Sequence, residues 1–542
     1  MKMLRWTIEG DAETRGAVSW ISHEFCVKTH GRRLEGGRGL WNEGSMKPLP
    51  RIHRVVVLGG GTAGLMAALT LKRKLPGLDV EVVRSVDMGV IGVGEGTTAA
   101  FPRHLFEYLK LPPGEFYAEA EPTWKLGIHF IWGPHPQGFY YTFHNEYKSR
   151  WPELKRNAGF YCNGDTRWLG IVSACMAHDK AFPRKPDGSL HMHNNHAFHI
   201  ENRKLVGWLE RTCGKQGVKL TDGTVESVEK GEHGVAALRL SDGRRLTADL
   251  FVDASGFRSE LLGKAMEEPF QGFERSLFCD RAVIGGWPRT DEVIKPLTVA
   301  ETMEAGWCWQ IEHEHWINRG YVYSSQFISD DDALAELLRK NPKIANTPRV
   351  VKFRSGRYRR PWVGNVVAIG NSMGFVEPLE ATAIQVICVE CSTLADTLVD
   401  SLQEPTPSLV DLYNTYNARQ WDDIRDFLAV HYAFNTRLDT PFWQACRADS
   451  DLCGAETMVQ YYRENGPSIL PEPVLFDPNN SFGLEGYLAM LVGMDVPHGK
   501  PWKASAAEQK IWNERLAGFG EHAKRGFGVA ETLAMIRQNG VR

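Results

Sequence analysis

The chain is predicted to be an α/β protein: a parallel sheet with helices, an antiparallel β insertion, and a helical C-terminal region. Three observations carry this. Short apolar runs, Val55-Val56-Val57-Leu58 and Leu250-Phe251-Val252, stop at glycine or small polar residues, as strands of a buried parallel sheet do. Asp222-Gly223 and Asp242-Gly243 punctuate short β-patterned runs and predict hairpins. Beyond residue 400 apolar positions recur at helical spacing, with Leu412, Tyr416, Ile424, Phe427, Leu428 and Tyr432 on one stripe.

At 542 residues the chain is too long for one small core, so several packed units are expected: 1–50, 51–400 and 401–542. It is 43% hydrophobic and 24% charged, the balance of an ordinary globular protein. A net charge of −3 gives no basis for a nucleic-acid or anionic-membrane partner. No apolar run reaches the length of a membrane span, and Met1–Trp6 lacks the apolar core of a secretory signal. The 10 cysteines follow no framework spacing, which predicts reduced thiols and a cytoplasmic location. Seventeen tryptophans suit an aromatic-lined pocket or an aromatic core.

Residues 1–50 are polar and rich in Gly and Arg, so loose structure is expected there, and Met46 is an alternative start. The strand at Val55–Leu58 enters Gly59-Gly60-Gly61-Thr62-Ala63-Gly64, and Leu65-Met66-Ala67-Ala68 opens a helix that ends at Pro76-Gly77. Asp79–Val83 is the next strand. G-x-G-x-x-G in a βαβ unit is a dinucleotide fingerprint: Gly59, Gly61 and Gly64 allow a tight turn and let a pyrophosphate approach the helix N-terminus, beside Thr62 and Ala63. The second strand ends in Arg84-Ser85, where an acidic ribose ligand is usual. Gly92-Val93-Gly94-Glu95-Gly96-Thr97 implies backbone lying close to something flat.

The strand at Leu250–Val252 runs into Asp253-Ala254-Ser255, and another, from Val366, runs to Gly370-Asn371. Three such strand ends, far apart in sequence, point to one large cofactor, FAD rather than NAD, in a Rossmann-like domain of the glutathione-reductase type. No second fingerprint for a nicotinamide cofactor is present. After Gly374-Phe375-Val376-Glu377, apolar positions Ile384, Ile387, Cys388, Cys391, Leu394 and Leu398 predict a long helix. Pro378 is placed in its first turn, with Glu380 and Thr382 in or near it, so a carboxylate and an anion-binding helix end fall together.

These residues carry a resemblance. From Val55 to about Trp443 the chain resembles flavin-dependent halogenases of the tryptophan-halogenase type, through blocks at 59–65, 92–97, 249–258, 265–270, 320–327, 354–380 and 422–443, in the family's order. The resemblance implies that a separate reductase supplies FADH2, that O2 and halide then give hypohalous acid, and that this reaches a second pocket and halogenates an electron-rich, indole-like aromatic. It implies Lys125 as the catalytic lysine, Glu380 as the catalytic glutamate, and halide on the backbone at Thr382 and Ala383. It implies flavin contacts at Gly94, Glu95, Thr97, Asp253, Gly370 and Asn371. The family's Trp-x-Trp-x-Ile-Pro segment, which keeps substrate from the flavin, reads Trp307-Cys308-Trp309-Gln310-Ile311-Glu312.

The chain departs from the family at several of these points. Glu312 replaces proline, and Ala381 and Ala383 stand where Ser and Gly are usual, so a residue needing positive φ is expected to be altered at Ala383. Tyr141 takes a histidine's place while Phe143 is kept, giving a pocket of Tyr141, Phe143, Trp307 and Trp309. The Tyr- and Glu-rich lid that grips free tryptophan is not found at Leu475–Leu484. A reductase-dependent flavin monooxygenase and a non-catalytic flavin-binding homologue remain as alternatives on the same scaffold. His191, His193, His196 and His199 lack a zinc spacing, and no metal is expected. Cys388 and Cys391 fall on the apolar helix face as structural thiols. A monomer and a homodimer are both compatible with the sequence.

Overall fold

The computed structural model describes residues 49–85, 94–143, 151–162, 169–500 and 502–539. The expectations for residues 1–48 and for Gly92 and Val93 lie outside these. A six-stranded sheet carries the glycine fingerprint, in the order Trp362–Val363, Val366–Ala368, Leu250–Asp253, Arg54–Leu58, Asp79–Arg84, Lys219–Asp222. The last five run parallel, with Val56 paired to both Phe251 and Glu81. A parallel sheet needs both faces covered, and Val55, Val56 and Val57 are fully buried. The helix Thr62–Lys74 crosses between the first two strands and is buried from Gly64 to Leu71. Two more helices, Asn202–Lys215 and Ala383–Asp400, pack against it.

Two glycines of the fingerprint have demonstrable reasons. Gly59 has φ +128, and a Cβ there would lie 2.2 Å from the Ala254 carbonyl oxygen. At Gly64 a Cβ would lie 1.9 Å from the Gly59 carbonyl oxygen, so the helix enters this close to the turn only without a side chain.

The second large sheet has seven strands, ordered Arg349–Lys352, Arg281–Pro288, Trp316–Tyr323, Gly306–Glu312, Thr298–Met303, Gly127–Ile131, Phe139–Thr142. Only Thr298–Met303 and Gly127–Ile131 run parallel. A third, small sheet places Thr123–Lys125 and Glu95–Gly96 on either side of Ala197–Ile200, with Lys125 opposite Ala197.

Of the two Asp-Gly turns, Asp242-Gly243 joins antiparallel strands, Gly234–Leu240 and Arg245–Leu246. Asp222-Gly223 does not. Lys219–Asp222 pairs parallel with Asp79–Arg84, and the Gly223 N–H donates to the Arg84 carbonyl, so the turn ends a strand instead of reversing it. The hairpin in this region turns between Gly231 and Gly234.

Helices Pro407–Phe434, Pro441–Asp449, Glu456–Asn465, Gly483–Gly493, Ala506–Lys524 and Val529–Asn539 follow. Leu412 is 52% exposed, so it leaves the predicted stripe; Tyr413, one residue on, faces inward, and Trp421, Ile424, Phe427 and Leu428 continue that face. The helix from Ala383 buries Ile384, Ile387, Cys388, Cys391, Leu394 and Leu398, as its spacing predicts. It does not include Pro378, however. Pro378–Glu380 forms a separate short turn, Ala381 adopts φ +55, and the α-helix begins at Ala383 with Thr382 as its N-terminal flank. The nine described cysteines are unpaired, and no helix among the described residues is long and apolar enough to cross a membrane.

Candidate active site

A cavity of about 1050 Å³ opens at the C-terminal ends of the parallel strands. This is where open α/β sheets bind ligands. Gly59, Gly61, Thr62, Ala63, Gly94, Glu95 and Asn371 line it. Nothing lies within 4 Å of where a Gly61 Cβ would be, so the start of the helix is open to an anion. Size, glycine turn and helix end fit a dinucleotide.

Gly64, Thr97, Asp253 and Gly370 stand behind this surface. Gly64 supports the turn. Thr97 accepts from the Phe198 N–H through Oγ1, at 2.9 Å. Asp253 accepts from the N–H groups of Leu261 and Leu262 at 2.7 and 2.8 Å, so its carboxylate caps a following turn. The Gly370 N–H donates to Glu390 at 2.6 Å, and Trp421 donates to the other Glu390 oxygen at 3.1 Å. Burial pushes the Glu390 carboxyl up to about 8 and that of Glu95 to about 7.

Lys125 reaches the same cavity from the small sheet. It is fully buried, and its Nζ has no hydrogen-bond partner among the described residues. Nζ lies 5.4 Å from the centroid of the Phe143 ring, and a Cβ at Gly96 would lie 3.3 Å from it. Burial pushes the ammonium down to about 7, and the charge of Glu380 opposes that shift.

Glu380 is buried at the end of the Pro378–Glu380 turn, so it is no surface helix-start carboxylate. Its Oε1 lies 2.8 Å from His431 Nε2. His431 Nδ1 lies 2.9 Å from the Phe427 carbonyl oxygen, which only accepts, so Nδ1 carries a hydrogen. The Glu380–His431 contact then shares one proton. Burial raises the Glu380 carboxyl above its ordinary range, and His431 and Lys125 hold it back. Phe130, Trp132 and Phe427 surround the imidazole.

The residue with positive φ is Ala381, not Ala383, because the turn must reverse between Glu380 and the helix. A Cβ in that region costs about 1 kcal/mol or more. Ala383 lines the cavity in helical conformation, and Thr382 is buried beside it. Trp309 lines the cavity and Trp307 lies deeper, with ring centroids 6.0 Å apart. Gly320 faces Trp309 on the next strand, and a Cβ there would be 1.9 Å from the indole. Glu312, at the family's proline position, is buried and ion-paired with Arg289.

Tyr141 packs on Phe427 at 6.0 Å, and Phe427 stacks on Phe482 at 4.0 Å. The Leu475–Leu484 segment thus contributes an aromatic ring to this cluster. His431, Gln385 and the Arg84–Glu210 pair were not evident as site residues. Gln385 accepts from Thr98 at 2.7 Å and donates to Ser481 at 2.6 Å, tying the glycine-rich loop to that segment. His431 lies on the buried face of a periodic helix, which is its signal; the others carry no local one. No cluster of His, Cys, Asp or Glu suited to a metal occurs among the described residues.

The sequence model of the tryptophan halogenase family matches residues 54–508, and the chain belongs to that family. It is 33% identical to the tryptophan 7-halogenase RebH of Lentzea aerocolonigenes, over 90% of this chain and 98% of that one. It is 36% identical to the tryptophan 6-halogenase ThaL of Streptomyces albogriseolus, over 89% and 97%. The crystal structure of MibH, a lanthipeptide tryptophan 5-halogenase, superimposes with TM-score 0.83 at 38% identity, covering 90% and 94%.

Proposed function

We propose that this protein halogenates an indole-like ring, using FADH2 from a separate flavin reductase, O2 and halide. The observation that carries the reading is Lys125: a buried ammonium without a hydrogen-bond partner among the described residues, lining the cofactor cavity, with the Glu380 charge acting on it. Bound reduced FAD, with O2, supplies the oxidation of halide to hypohalous acid. Gly59, Gly61, Thr62 and Ala63 would hold its pyrophosphate, and Gly94, Glu95 and Asn371, which line the same cavity, would face the rest of it. Halide is taken by the backbone at Thr382 and Ala383.

Lys125 then donates a hydrogen bond to the oxygen of hypohalous acid. The ring attacks the halogen, the O–X bond breaks, and the oxygen leaves as water with the lysine proton. Glu380 takes the ring proton, and its contact with His431 holds the carboxylate in place. Net, ArH and HOX give ArX and water. Trp307 and Trp309 separate ring from cofactor, while Phe143 and Tyr141 flank the ring. The C-terminal helical region covers this pocket.

Free tryptophan is the poorer substrate in this reading, and a simple indole or a larger aromatic the better one. The lid segment brings Phe482 onto Phe427 beside Tyr141, and these rings offer a zwitterion's charges no partner. The likeness to MibH, named for a lanthipeptide tryptophan, supports a larger substrate. A mass-spectrometric screen of indoles, phenols, pyrroles and a tryptophan-containing peptide, with reductase, chloride and bromide, tests this. Halogenated product is expected, and oxygenated product alone would overturn it.

A further inference from the structure

We infer that Glu210 supplies the carboxylate that binds the ribose diol at the adenosine end of the cofactor, with Arg84 fixing it in place. The inference rests on the FAD reading above. In a dinucleotide-binding βαβ unit the end of the second strand carries an acidic side chain that accepts from the ribose hydroxyls. Here that strand, Asp79–Arg84, ends in a guanidinium, which has no acceptor to offer.

The structure brings a carboxylate to the same place from another element. Glu210, on the helix Asn202–Lys215, lines the cavity together with Arg84 and the glycine turn. Arg84 Nη1 donates to Glu210 Oε1, and Arg84 Nε donates to Asp222 Oδ1 at 2.7 Å. A Cβ at Gly60 would lie 2.5 Å from the Arg84 Cβ, so the arginine stem lies against the cofactor turn and the pair sits at its mouth. Oε1 of Glu210 is taken by the guanidinium, which leaves Oε2 to accept from a diol.

Two observations narrow the ligand and the residue. Arg84 pairs with both Glu210 and Asp222, so its charge is already met, and a neutral diol suits the remaining Glu210 oxygen better than a ribose phosphate. Asp222 does not line the cavity, whereas Glu210 does. The carboxylate has moved from strand to helix, and the arginine at the old position orients it.

The test measures equilibrium binding to the full chain by flavin fluorescence, with FAD and with its 2′-deoxyadenosine analogue. A hydrogen bond to a charged acceptor predicts that the wild-type protein binds FAD about tenfold more tightly than the analogue. Glu210→Ala should bind both with the affinity the wild type has for the analogue. Glu210→Gln keeps the shape and should lose most of the selectivity, which covers the case of an alanine variant that does not fold. Selectivity retained in either variant, or absent in the wild type, overturns the assignment. Failure of the wild type to bind FAD at all would instead overturn the cofactor reading on which the assignment rests.

Discussion

Glu380 and His431 share one buried proton across 2.8 Å, and the far side of the imidazole is committed to the Phe427 carbonyl. The arrangement orients the carboxylate and offsets part of the rise in its proton affinity that burial causes. Removal of the imidazole leaves Glu380 with burial and Lys125 alone, so its carboxyl titrates higher. His431→Ala is expected to cut kcat by about 10–100-fold and to move the acidic limb of the kcat–pH profile upward, because the base form is then lost at higher pH. An unmoved acidic limb would separate His431 from the function of Glu380.

Glu380→Gln keeps the size of the side chain but cannot take a proton at neutral pH. kcat should fall about 10²–10⁴-fold with the fold intact by circular dichroism. Comparable kcat values in the two proteins would remove Glu380 from the mechanism.

Lys125 also has a stability signature. Burial pushes its ammonium from 10.5 down to about 7. Between those values the unfolded chain binds the proton and the folded chain does not, so the lysine's destabilising effect is full below about pH 7 and fades as pH rises. Lys125→Met should therefore raise Tm relative to wild type by more at pH 6 than at pH 10, a scale of a few kcal/mol at about 1.4 kcal/mol per pH unit. A Tm difference independent of pH would contradict a buried, neutral-capable lysine.

A Cβ at Gly320 would fall 1.9 Å from the Trp309 indole. Gly320→Ala should push the ring toward the cavity and cost about 1–3 kcal/mol, read by chemical denaturation. It should also weaken FAD binding. Unchanged stability would mean the two strands part without penalty.

The parallel sheet is legible in the sequence because a buried strand feeding a glycine turn has few alternatives. At Gly64 the turn carbonyl leaves no room for any side chain. The helix of Ile384, Ile387 and Leu394 is legible for a similar reason: its period is unbroken. The start of that helix is not, because Pro378 satisfies two readings, and in the structure Glu380 meets His431 from a separate turn before the helix. Asp222-Gly223 misleads for a like reason. Its local chemistry suits a hairpin, but strand pairing to a residue 138 positions away decides. Glu210 is invisible locally, and His431 shows only as a buried position on a periodic helix, since each acquires its role through a partner distant in sequence.

Indole and L-tryptophan at equal concentration, with bromide and reductase, test the pocket. Indole should show the higher kcat/KM, because Tyr141, Phe427 and Phe482 form a ring surface that suits a flat ring without charged substituents. A higher value for tryptophan would mean that polar groups outside this cluster hold the amino acid.

Whether Lys125 directs hypohalous acid to the ring is measured most directly by product mass spectrometry on wild type and Lys125→Ala, with indole, bromide, FAD and a reductase. The wild type should give monobrominated indole with its paired isotope peaks. The variant should give none, while binding FAD as the wild type does. Bromination at near wild-type rate by Lys125→Ala, or an oxygenated wild-type product without bromine, would contradict the account.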